Sequence, residues 1–179
     1  MSVTKNTKPQ NDGGSADVDA MRAGVWDSES WREMRDKKLF EWLQNADAVR
    51  FFLHLSHFVE IFDDLVDQDA PVSDKDLAHA VFSALYHIPA NPFFHAHRAT
   101  LLPIIFTCTN AWLDSNHLCR GGETEKALAY TLKGLGVEVL LTCISITRGV
   151  EYLRTVSVDV RRVFMAHQTF AEYCQEGFE

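Results

Sequence analysis

The densest chemistry in this sequence is a row of carboxylates, Glu60, Asp63, Asp64, Asp67 and Asp69, in the stretch VEIFDDLVDQD. At about 100° per residue, Asp63, Asp67, Glu60 and Asp64 share one arc of a helix, with His57 at its edge. Asp63 and Asp67 stand one turn apart. Two carboxylates at that spacing can share a hard cation such as Mg²⁺, which keeps several waters and bridges to substrate phosphates. Phosphate would also need basic side chains, and Arg98, Lys133, Arg148 and Arg154 lie near apolar helical runs. Arg148 leads among them because the run from Val137 to Val150 reads as largely buried, and a guanidinium there can fork onto phosphate oxygens or pair with Glu151 or Asp114.

Two further polar stripes lie on otherwise apolar helices. Glu138, Thr142, Ser145, Gly149 and Tyr152 fall within roughly 80° of each other at helical spacing. Such a stripe either lines a pocket, where its carboxylate needs a cation, a donor or a proton, or forms the wet side of a surface helix. Thr107, Asn110, Asp114 and His117 share a face of another helix. Asp114-x-x-His117 has the spacing of a metal-ligand pair, and His57-x-x-Glu60 repeats it in reverse. A di-iron carboxylate centre wants two Glu-x-x-His motifs and two further Glu residues, a set this chain does not supply. His95-x-His97 reads as a solvated helix start, His54 as a core histidine, and His79, His87 and His167 as surface or packing residues. Ser56 beside His57 has no third partner for a nucleophile triad.

The elements that must position these groups are helical. Six helices are expected, over about Ser28–Gln44, Asp47–Asp67, Ser73–His87, Phe93–Cys119, Thr124–Arg154 and Ser157–Cys174. Ser30 with Glu33 forms a capping box for the first. Asp47 caps the second, and Pro71 closes it. Ile88 to Pro92 reads as a loop, Pro103 as a kink, and Gly134 with Gly136 as an interruption. In the second helix, Phe51, Phe52, Leu55, Phe58, Val59, Phe62, Leu65 and Val66 fill the face opposite the acids and so read as core. Short links between long amphipathic helices make antiparallel neighbours, so the expected fold is all-α, a single helical bundle over residues 25–179. Residues 1–24, rich in Asn, Gly, Lys, Ser and Asp, read as a disordered tail.

The totals fit one domain: 179 residues, 46% hydrophobic, with 12 Phe and 4 Trp. The net charge of −8 disfavours a broad footprint on nucleic acid or an anionic membrane. Cys108, Cys119, Cys143 and Cys174 form no CxxC pair, which points to structural thiols in a reducing, cytoplasmic setting. Neither a signal peptide nor a membrane span is expected, and the Phe and Trp content makes a homodimer plausible.

The run FDDLVDQD, Phe62 to Asp69, resembles the DDxxD helix of class I isoprenoid (terpenoid) synthases. That resemblance implies an all-α fold in which Asp63 and Asp67, with Asp64 and Glu60 beside them, hold Mg²⁺ that clamps a diphosphate leaving group. It covers about eight residues. Of the family's second metal motif, Thr147 and Glu151 match the last two positions, while Cys143 stands at the first. The run Glu60-x-x-Asp63-Asp64-x-x-Asp67 is also similar to the carboxylate helices of all-α nucleotide pyrophosphatases. The expected function is therefore a Mg²⁺-dependent enzyme acting on a diphosphate ester, a transferase or lyase releasing pyrophosphate. Glu138, Asn110, Asp114 and His117 would line the wall opposite the metal, and Arg148 would hold phosphate. Phe58, Phe62, Phe106 and Trp112 would shield a reactive carbon. The competing expectations are a hydrolase like the all-α nucleotide pyrophosphatases and a non-catalytic helical adaptor or assembly protein whose acidic stripe is a solvated or partner-binding face.

Overall fold

The chain folds as an all-α bundle. A computed structural model describes residues 29–67, 70–165 and 168–175, with side chains from residue 34, and no strand occurs among them. The expected tail, the Ser30–Glu33 capping box, the Trp31 side chain, Asp69 and His167 lie outside the described residues.

Helix α1, Glu29–Leu43, buries Leu39, Trp42 and Leu43. Gln44 then takes a positive φ of 46°, and Asn45 starts the next helix. Its side-chain oxygen accepts from the backbone N–H groups of Asp47 and Ala48, both at 3.0 Å. The cap of α2, Ala46–Asp67, is therefore Asn45 and not Asp47. Helix α3, Asp74–Phe82, is capped by Ser73 as its sequence implies, with Asp76 N–H at 3.2 Å from the hydroxyl.

The expected loop at Ile88–Pro92 is mostly helical. Helix α3 runs into a π turn, Ser83–His87, in which the Ile88 N–H donates to the Ser83 carbonyl, and then into one helical turn, Ile88–Ala90. Asn91 is the only break. Its side chain accepts from Phe94 N–H and donates to the Asp47 carbonyl, each at 3.0 Å. One buried amide thus caps helix α4, Pro92–Leu118, and ties it to the start of α2.

The long helix expected from Thr124 to Arg154 is three pieces: α5, Glu123–Lys133; a 3₁₀ turn, Gly134–Gly136; and α6, Val137–Arg148. A Cβ on Gly134 would meet the end of the Met165 side chain, which would have to shift to make room. Gly149, at φ 83°, stops α6 in a left-handed conformation that other residues seldom take. Helix α7, Val150–Phe164, and the short α8, Phe170–Gln175, replace the single last helix expected.

Helix α6 is the axis. It packs against α1, α2, α4 and α7. Its Val137, Val139, Leu140, Leu141, Cys143 and Ile144 join Leu39, Leu43, Phe51, Phe52, Phe93, Leu101 and Val160 in one core. Burial raises the Cys143 thiol to about 12, so it is an inert packing group. The four cysteines are unpaired thiols. A second cluster of Cys119, Ala129 and Tyr173 pins α8 to α5. The stretch Glu123–Arg148 is long and apolar enough to cross a membrane by composition, with mean hydropathy 1.5, a longer apolar run than its interrupting polar residues suggest. Its second half is α6, whose apolar side chains fill the core.

Candidate functional site

Two members of the acid row meet partners on neighbouring helices. Asp63 accepts from the Trp112 indole N–H at 2.5 Å, and Asp67 accepts from the Asn116 amide at 3.2 Å, both donors reaching over from α4. The ammonium of Lys133, at the end of α5, lies 3.7 Å from Asp63 and 3.5 Å from Asp67. One cation thus straddles two carboxylates a turn apart. The three charged side chains are only 25–30% exposed, so their attraction is less screened than in a surface pair. Spacings of 3.5–3.7 Å are long for a hydrogen-bonded ion pair. The ammonium is held near the acids but not locked to either.

The opposite face of the same stretch is where the structure departs from the periodicity. Phe51 and Phe52 are buried as expected, but Val59, Phe62, Leu65 and Val66 are 42–47% exposed. Ile61, between the two faces, is the buried residue at this end. The acids turn toward α4 and α5, and much of the apolar face turns outward. Phe58 stacks on Phe62 at 5.9 Å, Phe62 packs on Trp112 at 5.6 Å, and Trp112 bonds Asp63. An aromatic shelf therefore runs directly into the acid–lysine cluster, with Leu113 of α4 exposed beside Trp112.

The other expected site residues go elsewhere. Glu138 pairs with Arg161 of α7. With Thr142 and Ser145 it lines an open groove of about 410 Å³, whose other wall is Leu153, Arg154, Ser157 and Arg161. The polar stripe of α6 thus does line a hollow, but a different one from the neighbourhood of Asp63 and Asp67. The stripe also ends at Ser145, because Gly149 breaks the helix before Tyr152. Asn110 donates to Asp114 at 3.1 Å on an exposed face of α4, and His117 is exposed on the same helix. Arg148 stacks over the Tyr152 ring at 3.9 Å and donates to the Glu41 carbonyl at 3.3 Å. It is thereby committed to α1 and not to the acids. Thr147 and Glu151 fall on different helices, since Gly149 lies between them. Thr147 bonds back to the Cys143 carbonyl, and Glu151 is solvated beside Arg154.

Of the four basic candidates, Lys133 is the one that meets the acids, while Asn116 was given no role by its spacing. Asn116 could have been found as the residue one turn beyond Trp112 on α4. Asp64 and Glu60 flank the cluster, half-buried and exposed respectively. No three described His, Cys, Asp or Glu side chains hold the geometry of a complete metal site. Mg²⁺ does not require one, because one or two carboxylates with waters and phosphate oxygens suffice. No protein-family model, curated protein or solved structure shows a significant match to this chain.

Proposed function

We propose that Asp63, Asp67 and Lys133 form a Mg²⁺-dependent diphosphate site, and that the chain is an enzyme acting on a diphosphate ester. The observation that supports this most is the single ammonium shared by two carboxylates one turn apart, next to an aromatic shelf. In this reading Asp63 and Asp67 hold the metal, held in place themselves by the Trp112 and Asn116 donors. Asp64 and Glu60 add negative charge around them. Lys133 exchanges its long contacts with the acids for contacts with phosphate oxygens. Phe58, Phe62 and Trp112 receive the apolar end of the substrate, which favours a hydrocarbon diphosphate over a nucleotide. Bound Mg²⁺ would supply charge neutralisation as pyrophosphate departs with the electron pair of the breaking C–O bond.

Titration calorimetry tests this. Mg²⁺ and pyrophosphate together should bind one site per chain. Asp67→Ala should remove binding, and Lys133→Ala should weaken pyrophosphate at least about tenfold. Equal binding by all three proteins would contradict the assignment.

A second reading, a non-catalytic assembly protein, has its own observation. Val81, Phe82, Leu85 and Tyr86 of α3 and the π turn line an apolar groove of about 480 Å³, with Phe82, Leu85 and Tyr86 61–76% exposed. A second copy of this chain, placing the same patch against itself about a twofold axis, would cover it. Sedimentation at rising concentration separates the readings: dimerisation lost in Leu85→Asp, with no response to Mg²⁺ and pyrophosphate, would favour assembly.

A further inference from the structure

Away from the acid row, four histidines gather where α3 and the π turn cross α2. His54 and His57 lie one turn apart on α2, His79 on α3, and His87 at the end of the π turn. The His54 and His87 rings stack at 4.6 Å, and His57 and His79 approach to 4.5 Å. His79 lies 6.3 Å from His54 and 6.4 Å from His87. We propose that this seam is an acid-released latch: neutral imidazoles let α3 and the π turn pack on α2, and protonation frees residues 74–87 while the rest of the bundle stays folded.

Three features support it. First, little else holds that stretch. Its buried residues are Ala80 and Ser83, both small, while Leu77, Val81, Phe82, Leu85 and Tyr86 are 42–76% exposed. Burying two small side chains contributes little, so local opening is accessible. Ile88, which joins the main core, anchors the chain just beyond. Second, the rings crowd one another. Imidazoles this close cannot all carry charge without repulsion. Burial and the neighbouring His87, His79 and His57 hold His54 below its ordinary value. Third, the Nε2 of His57 is buried without a hydrogen-bond partner, and undocking would give it water.

The other charges around the seam lie at its edges. On α2, Arg50 stands one turn before His54 and pairs with Asp47, while Glu60 and Asp64 follow His57 by one and two turns. On α3, Lys75 and Asp76 precede His79 by one turn, and Asp76 accepts from the Ser73 hydroxyl at 2.6 Å. The π turn adds the Tyr86 phenol, its ring 5.4 Å from His87. The turn Ile88–Ala90 carries no charged side chain. Glu60, Asp64 and Asp76 can offset charge on His57 and His79, whereas the charges acting on His54 are those of the three other histidines. The stacked His54–His87 pair is therefore where added charge strains the seam most. Below about pH 6.5 the undocked stretch binds more protons than the docked one, so acid favours opening.

Hydrogen exchange of the full chain, resolved by segment and corrected for intrinsic exchange rates, tests this at about pH 7.5 and 5.5. Protection over residues 74–87 should fall about fivefold or more at the lower pH, while protection over Val137–Arg148 holds. The double change His79→Gln/His87→Gln should leave the stretch as protected as in wild type at the higher pH and remove most of the acid response. No fall in wild type, an equal fall in both segments, or the same fall in the double variant would each overturn the proposal. The comparison of two segments within wild type decides even where the substitutions loosen α3. Because neither substituted histidine touches the acid row, the result is independent of the Mg²⁺ and pyrophosphate response.

Discussion

The two ends of α2 share one amphipathic pattern and use it in opposite ways. At the start, Phe51 and Phe52 sit in the core, with the Phe51 ring 5.3 Å from Phe94 and 6.1 Å from Phe93. At the end, the Asp63 and Asp67 side chains are about a quarter exposed and held by partners from α4 and α5, while Phe62, Leu65 and Val66 are exposed. Periodicity tells which side chains share a face. Which face turns inward depends on what stands opposite, and here that is Lys133, Trp112 and Asn116. A charged face can turn inward when its neighbours supply a cation and donors.

Substitutions that should break this contrast rank by burial. Phe51→Ala removes a fully buried ring from the core and should cost about 3–5 kcal/mol by chemical denaturation. Lys133→Met leaves two partly covered carboxylates without their shared cation. The loss should be about 1 kcal/mol, and the difference from wild type should shrink in high salt. Phe62→Ala, despite removing a ring of the same size as Phe51, should cost about 1 kcal/mol or less. A Phe62→Ala loss as large as that of Phe51→Ala would mean that the outward apolar face is covered in solution.

The smallest effect sharpens the middle of the same helix. Burial and the neighbouring His87, His79 and His57 hold His54 below its ordinary value of 6.5. The unfolded chain therefore binds more protons than the folded one once the pH drops below that value. Stability contributed by neutral His54 is present above about 6.5 and declines as the pH falls toward the lowered native value. Melting curves from pH 7.5 down to 5.5 should show this decline, and His87→Gln should flatten it by removing one source of repulsion.

Much of the fold was legible because it depends on local rules. Ser73 facing Asp76 marked the start of α3, and the Val, Leu and Ile run from Val137 marked the buried axis. The misses came from chemistry that spacing does not carry. Asp47 reads as the cap of α2 and Asn91 as part of a loop, yet Asn45 and Asn91 do the capping, because a side-chain amide oxygen can accept from the first backbone N–H groups. Gly149 read as a stripe member and is a helix stop, since its φ is set by the turn into α7. At the site, Asp63 and Asp67 could be singled out by spacing within one helix. Their partners could not, because Lys133 is 66 residues from Asp67 in sequence and meets it only through the α4–α5 packing.

The most direct test is the thermal melt of wild type and Asp63→Asn with Mg²⁺ alone, pyrophosphate alone and both together. A site that holds the two as a unit predicts a rise in the wild-type melting temperature that is largest with both and is lost in Asp63→Asn. The same rise in both proteins, or none in wild type, would contradict the account and leave the acid row as a structural ion-pair cluster.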